Sequence, residues 1–191
     1  MSTNKNIKIE DNFLRQEDFN TLQEIIMRNT LHWEFSYKYY ALLESEWSTA
    51  VRHPPKSHED ELDKFQFIHT FYENGQPAST FLKLLNPILE ILHPISIWRI
   101  RANLLTRLPN IVENSFHTDM AANLSEEKQK QWTTSIFYMN TNNGYTLFED
   151  GTKVESVANR MLTFPANVKH TGTSCTNQQS RVLINFDYMT I

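Results

Sequence analysis

Residues 133–174 read TTSIFYMNTNNGYTLFEDGTKVESVANRMLTFPANVKHTGTS, and their punctuation is that of a chain of short strands. Apolar and polar residues alternate in brief runs near 133–140, 145–149, 152–157, 160–164 and 168–174, a period of two that suits half-buried strands. Asn142, Asn143 and Gly144 predict one hairpin turn, and Asp150 with Gly151 the next, because these residues tolerate positive φ. The same rhythm extends outward, to 96–106 and 112–118 upstream and to 181–189 downstream. That makes eight strands.

Further upstream the pattern changes. Phe19, Leu22, Ile25 and Ile26 recur at helical spacing behind Glu17 and Asp18, which predicts a helix over 16–29. A second helix is expected from Ser79 to Leu92, with Asn86 as the cap of a fresh segment at Pro87, and His93 and Pro94 as its end. Phe65, Phe67, His69 and Phe71 alternate as a strand, closed by a turn at Glu73 to Gln76. The stretch from Trp33 to Trp47 is aromatic and begins as a strand, and Arg52 to Lys64, charged and proline-bearing, reads as a surface loop. Eight strands behind two helices give a mainly β fold: a double-stranded β-helix, or jelly roll of cupin-like type, over 95–191, buttressed by 1–94 in one domain.

Composition removes several function classes. A net charge of −4 lacks the basic footprint of duplex nucleic-acid binding. The four glycines are too scattered for a dinucleotide fingerprint or a phosphate loop. No run approaches the roughly 18 apolar residues of a membrane span, the polar N-terminus lacks a secretion signal, and the single Cys175 has no internal partner. A cytoplasmic protein is the expectation.

A jelly roll encloses a cavity, so the polar residues that point into it matter. His117 and Asp119 stand two apart in FHTDM, on one face of a strand, and His170 in NVKHTG supplies a third group. Two imidazoles and one carboxylate on one side of a metal leave positions open, the arrangement suited to non-haem Fe(II). The spacing alone decides nothing, since His58 and Asp60 repeat it within the charged loop. Arg181, Leu183 and Asn185 share one face of the last strand, while Val182, Ile184 and Phe186 face the helices. A guanidinium turned into the barrel should meet an anion, whether Asp187, a glutamate or a ligand carboxylate, and Tyr138 either packs in the core or offers a second donor to that carboxylate. On the first core strand Arg99, Arg101 and Asn103 form a polar face, with Asn103 or Arg101 expected near the ligand.

The segments HTD (117–119), SIFYMN (135–140), YTLFEDG (145–151), NRMLTFPANVKHTG (159–172) and RVLINFDY (181–188) together resemble the Fe(II)- and 2-oxoglutarate-dependent dioxygenases. Within that family the resemblance is to the prolyl 4-hydroxylase-like branch and to small oxygenases of bacteriophages. It implies that His117, Asp119 and His170 ligate Fe(II). It also implies that Arg181 and Tyr138 hold the distal carboxylate of 2-oxoglutarate; Asn103, from the polar face of the first core strand, is a further candidate beside it. A bacteriophage source would make the compartment the host cytoplasm. The reaction implied is hydroxylation by O2 of an unactivated C–H bond, in a prolyl or other protein residue, with release of succinate and CO2 and with ascorbate as a further reductant. One departure is Leu183, where many relatives carry serine or threonine two residues after the arginine.

Two other classes compete. A noncatalytic jelly-roll binding or structural module with a vestigial metal site predicts no binding of Fe(II) or 2-oxoglutarate. A cupin-like isomerase would use an HxH pair, which this sequence lacks. A nucleic-acid demethylase, a variant within the oxygenases, is disfavoured by the charge.

Overall fold

The computed structural model describes residues 7–28, 30–37, 65–120 and 124–190. The loop of 52–64 with His58 and Asp60, and most of the aromatic stretch (38–47), lie outside these residues. The elements in order are β1 (Lys8–Glu10), α1 (Gln16–Met27), β2 (Glu34–Tyr37), β3 (Phe65–Glu73), β4 (Gln76–Pro77), α2 (Asn86–Leu92), β5 (Ser96–Thr106), α3 (Glu126–Gln129), β6 (Thr133–Tyr138), β7 (Tyr145–Phe148), β8 (Lys153–Glu155), β9 (Arg160–Pro165), β10 (His170–Gly172) and β11 (Ser180–Met189).

α1 forms where the apolar stripe predicts it, burying Phe19, Leu22 and Ile26 and carrying Glu17 and Asp18 in its first turn. The second helical region is split. Thr80–Leu85 winds as a 3-10 helix, with the Ser79 hydroxyl accepting from the Phe81 amide. Leu85, rather than Asn86, then caps α2, which places Pro87 in its first turn, where a missing N–H costs nothing. His93 ends α2 in the left-handed conformation at φ 46°.

Two antiparallel sheets follow. The larger runs β1-β9-β6-β11-β5-β3-β2, with β4 paired to β3, and the smaller runs β10-β7-β8. The predicted strand at 112–118 is not a regular strand. Glu113 bridges Thr173 and His117 bridges His170, so the segment lies beside β10 at two points only. From Ser96 onward the chain visits larger, smaller, larger, smaller, smaller, larger, smaller and larger sheet in turn. This alternation is the double-stranded β-helix.

The connection at Asn142 to Gly144 is a correction. It joins β6 of one sheet to β7 of the other, so it is a crossover and not a hairpin, and none of its residues has a positive φ. Asp150 and Gly151 do turn a hairpin, β7 to β8, with Gly151 at φ 85°. β1, β4 and the short α3 had no predicted counterpart.

The faces of β11 sort the core. Val182, Ile184, Phe186 and Tyr188 pack with α1, α2 and Phe137 in one apolar cluster outside the larger sheet. At about 1.5–3 kcal/mol for each large side chain removed from water, this layer holds the helices onto the barrel. Between the sheets a smaller cluster gathers Ile136, Tyr138, Phe148, Val154, Leu162, Phe164 and Leu183. Polar groups interrupt that inner cluster, and the site lies among them.

Candidate metal centre and anion seat

His117 and His170 are brought together by backbone pairing. The amide of each donates to the carbonyl of the other, at 2.9 and 3.0 Å, which sets the two rings 4.8 Å apart. His170 is buried, edge-to-face with Phe164 and near the tilted ring of Phe148, whereas His117 is half-buried. In each ring Nδ1 lies beside a backbone carbonyl two residues earlier, Ser115 at 3.0 Å and Val168 at 3.3 Å. An Nδ1–H donated there fixes the tautomer and leaves the Nε2 lone pair as the ligating atom.

Asp119 completes the group. Its Oδ2 lies 3.3 Å from Nε2 of His170 and its Oδ1 3.9 Å from Nε2 of His117. One ligating atom from each of the three residues falls within 4.8 Å of the others. Oδ1 accepts a hydrogen bond from Arg99 at 3.1 Å, but Oδ2 is buried and makes none. Burial by itself would raise the Asp119 carboxyl, yet His170, then Arg99 and His117, outweigh it and hold the group well below the usual carboxylate range. A buried ionised oxygen without a donor, facing two imidazole nitrogens, fits a divalent cation. Arg99 is shared: the same nitrogen donates to Asp187 at 3.0 Å, and Asp187 also accepts from Thr134. This brace on Asp119 was not legible from spacing.

Arg181 lies at the other end of the inner face, 1% exposed. Its Nε donates to the Ser156 hydroxyl at 2.7 Å, and its two terminal nitrogens to the Thr173 carbonyl and the Thr146 hydroxyl, each at 3.3 Å. The predicted alternative partner, Asp187, is engaged by Arg99 instead, and among the described residues no carboxylate pairs with Arg181. The glycines make room for it. A Cβ at Gly144 would stand 2.6 Å from the Arg181 Cδ, and one at Gly172 would stand 3.2 Å from a guanidinium nitrogen. Gly144 is thus required by close approach rather than by a turn.

Tyr138 is fully buried beside this guanidinium, which lies 5.6 Å from its ring centre. Burial raises the phenol above its usual range while Arg181 pulls it back. Its hydroxyl bonds to Thr146 at 2.8 Å, so Thr146 bridges tyrosine and arginine. Asn103 is buried in the same row of the larger sheet, separated from Tyr138 by Leu183. Its amide makes a long 3.5 Å contact to the Arg101 carbonyl and does not join the Arg181 group. Ser156, Thr146 and Thr173 come from three separate stretches, and no sequence pattern marked them. Cys175, read as inert, is buried, and burial raises its thiol.

No protein-family model matches the sequence, and no curated protein matches it. Solved structures do. A prolyl hydroxylase from Trichoplax adhaerens, in complex with a hypoxia inducible factor oxygen degradation domain peptide, is 14% identical with a TM-score of 0.59, covering 97% of this chain and 84% of that one. The viral collagen prolyl hydroxylase from Paramecium bursaria Chlorella virus 1 is 12% identical with a TM-score of 0.53, over 98% and 91% of the two chains. HygX from Streptomyces hygroscopicus, solved with nickel and 2-oxoglutarate bound, is 7% identical with a TM-score of 0.56, over 96% and 82%. At such identities the likeness is one of fold: the chain carries the double-stranded β-helix of the 2-oxoglutarate-dependent oxygenases, prolyl hydroxylases among them.

Proposed function

We propose that this chain is an Fe(II)- and 2-oxoglutarate-dependent dioxygenase that hydroxylates an unactivated C–H bond, with a prolyl or other protein residue as the substrate class. The observation that carries this reading is a buried guanidinium with no carboxylate partner among the described residues, on the same inner surface as an oriented His–Asp–His set. An uncompensated buried cation is costly, and a bound anion relieves it. The Trichoplax neighbour's peptide and the HygX ligands support the same classes of substrate and cosubstrate.

His117, Asp119 and His170 would hold the iron, and Arg181 with the Tyr138 and Thr146 hydroxyls would take the distal carboxylate of 2-oxoglutarate. Iron and cosubstrate, when bound, supply the oxidising chemistry: O2 and 2-oxoglutarate go to succinate and CO2, and the substrate C–H becomes C–OH. The chain's own share is positional. Backbone carbonyls hold both imidazoles by Nδ1, and Arg99 holds Asp119 by Oδ1, so the remaining donor atoms would be free to hold the metal. Phe148 and Phe164 shield His170 from water. Leu183 leaves the serine or threonine donor of many relatives missing, and Tyr138 or Thr146 takes that role.

Purified chain supplied with Fe(II), 2-oxoglutarate and 18O2 tests the reading. Succinate bearing one 18O atom is the expected product, lost in His170→Ala. A folded, metal-loaded chain that forms no succinate even with added peptide libraries would favour the noncatalytic module.

A further inference from the structure

A second guanidinium on the inner face is surplus to the metal set and to the Arg181 seat. Arg101 lies in β5 between Arg99 and Asn103, opposite Asn185 of β11 on one side and Thr70 of β3 on the other. Its neighbour Arg99 is neutralised by Asp119 and Asp187, but Arg101 has no ion pair among the described residues. Its Nε is buried without a hydrogen bond, and so is Oδ1 of the facing Asn185. Each such group forfeits about 1–3 kcal/mol when left unbonded. Two at one paired position of neighbouring strands, next to the Asp119 end of the site, describe a place that a ligand completes. Burial and Arg99 lower the Arg101 guanidinium to about 10, which leaves it a cation at neutral pH. Arg181 lies four positions along β11 from Asn185, about 13 Å away, so the two guanidinium groups serve different ends of the cavity.

We propose that Arg101, with Asn185 beside it, reads an oxyanion on the primary substrate, so the substrate carries a carboxylate or phosphate close to the carbon that reacts. This rests on the dioxygenase reading and narrows its substrate class. A guanidinium fork suits either oxyanion, and the choice of probe separates them.

The full chain, loaded with Mn(II) in place of iron and with 2-oxoglutarate under argon, is titrated with propionate, methyl phosphate and propionamide. Metal-induced relaxation of each probe's methyl protons reports approach to the centre. Saturable relaxation of at least one anion, with none for the uncharged amide, is expected; which anion binds tighter identifies the group. Arg101→Gln is expected to weaken that binding by about tenfold or more, the loss of one charge-assisted contact, and Arg101→Lys to restore part of it. Equal relaxation by amide and anions, no effect of Arg101→Gln, or displacement of 2-oxoglutarate by the anion would overturn the proposal. The amide and anion contrast is read on the unaltered chain, so it does not depend on a variant folding. Cosubstrate binding is followed in the same samples: a wild type that does not bind 2-oxoglutarate refutes the dioxygenase reading, whereas one that binds it but ignores the anions refutes only this inference.

Discussion

The two faces of β11 obey different physics. Val182, Ile184, Phe186 and Tyr188 face the helices and are buried among apolar neighbours, so that side of the strand is a packing surface. Arg181, Asn185 and Asp187 face the cavity, buried as deeply, yet their surroundings are hydroxyls, amides and charges that are only partly paired. One ten-residue strand therefore carries both the stability of the fold and much of the candidate site, divided by the period of two. Burial on the outer face stabilises the fold, as does that of Leu183 on the inner face, whereas burial of Arg181, Asn185 and Asp187 does not. Substitutions on the two faces should separate folding from binding.

Ile184→Ala should cause the largest change, a loss of about 2–5 kcal/mol of stability from the cavity left behind. Denaturant unfolding measures it, and 2-oxoglutarate affinity of the folded fraction is expected to stay the same. Arg181→Gln should do the opposite. Losing the fork and its charge should cost about 2–3 kcal/mol of cosubstrate binding, about 30- to 150-fold in affinity by calorimetry. Its melting temperature should hold or rise, because an unneutralised buried cation has been removed. A melting temperature that collapsed instead would place Arg181 with the packing residues and erase the contrast.

Gly144→Ala comes next. Its methyl would meet the Ser174 carbonyl at 2.7 Å and the Arg181 stem at 2.6 Å, and backbone cannot yield cheaply. About 1–3 kcal/mol of overpacking should appear in unfolding, together with weaker 2-oxoglutarate binding as Arg181 is displaced.

A pH slope completes the set. Burial, then the charge of Asp119, push the Asp187 carboxyl from 3.8 up to about 6, against Arg99 and Thr134. With its folded value above its unfolded one, the folded state binds the extra proton, so stability should fall as pH rises from about 4 to 6. Asp119, held low, acts in a different window: its contribution is present above about 4 and is lost as pH falls further. Unfolding midpoints across pH 4 to 6 should therefore decline in the wild type and flatten in Asp187→Asn.

The same division explains what the sequence disclosed. Faces set by hydrophobic period were readable: the helix-facing side of β11, the stripe of α1, and the strands β5 and β6 all lie where alternation or helical spacing predicts. The grouping of His117, Asp119 and His170 was readable because the two histidines fall on segments that pair and Asp119 follows His117 by two residues. Long-range polar pairing left no such mark. The two bridges that replace a strand at 112–118, the crossover at Asn142 to Gly144, the Arg99 brace and the acceptors Ser156, Thr146 and Thr173 all depend on which distant segments the β-helix brings together. Leu183 shows both sides of this: its place was legible, but that Thr146 would join Tyr138 and Arg181 across it was not.

The most direct measurement is an anaerobic titration of the purified chain with Fe(II) and then 2-oxoglutarate, following the visible charge-transfer absorption of the chelate, with Asp119→Ala and Arg181→Ala alongside. The wild type should develop a saturable band, Asp119→Ala none, and Arg181→Ala the same band only at far higher 2-oxoglutarate. A folded wild type that binds metal but develops no band would contradict the account and leave the inner face of this β-helix as a binding surface without oxygen chemistry.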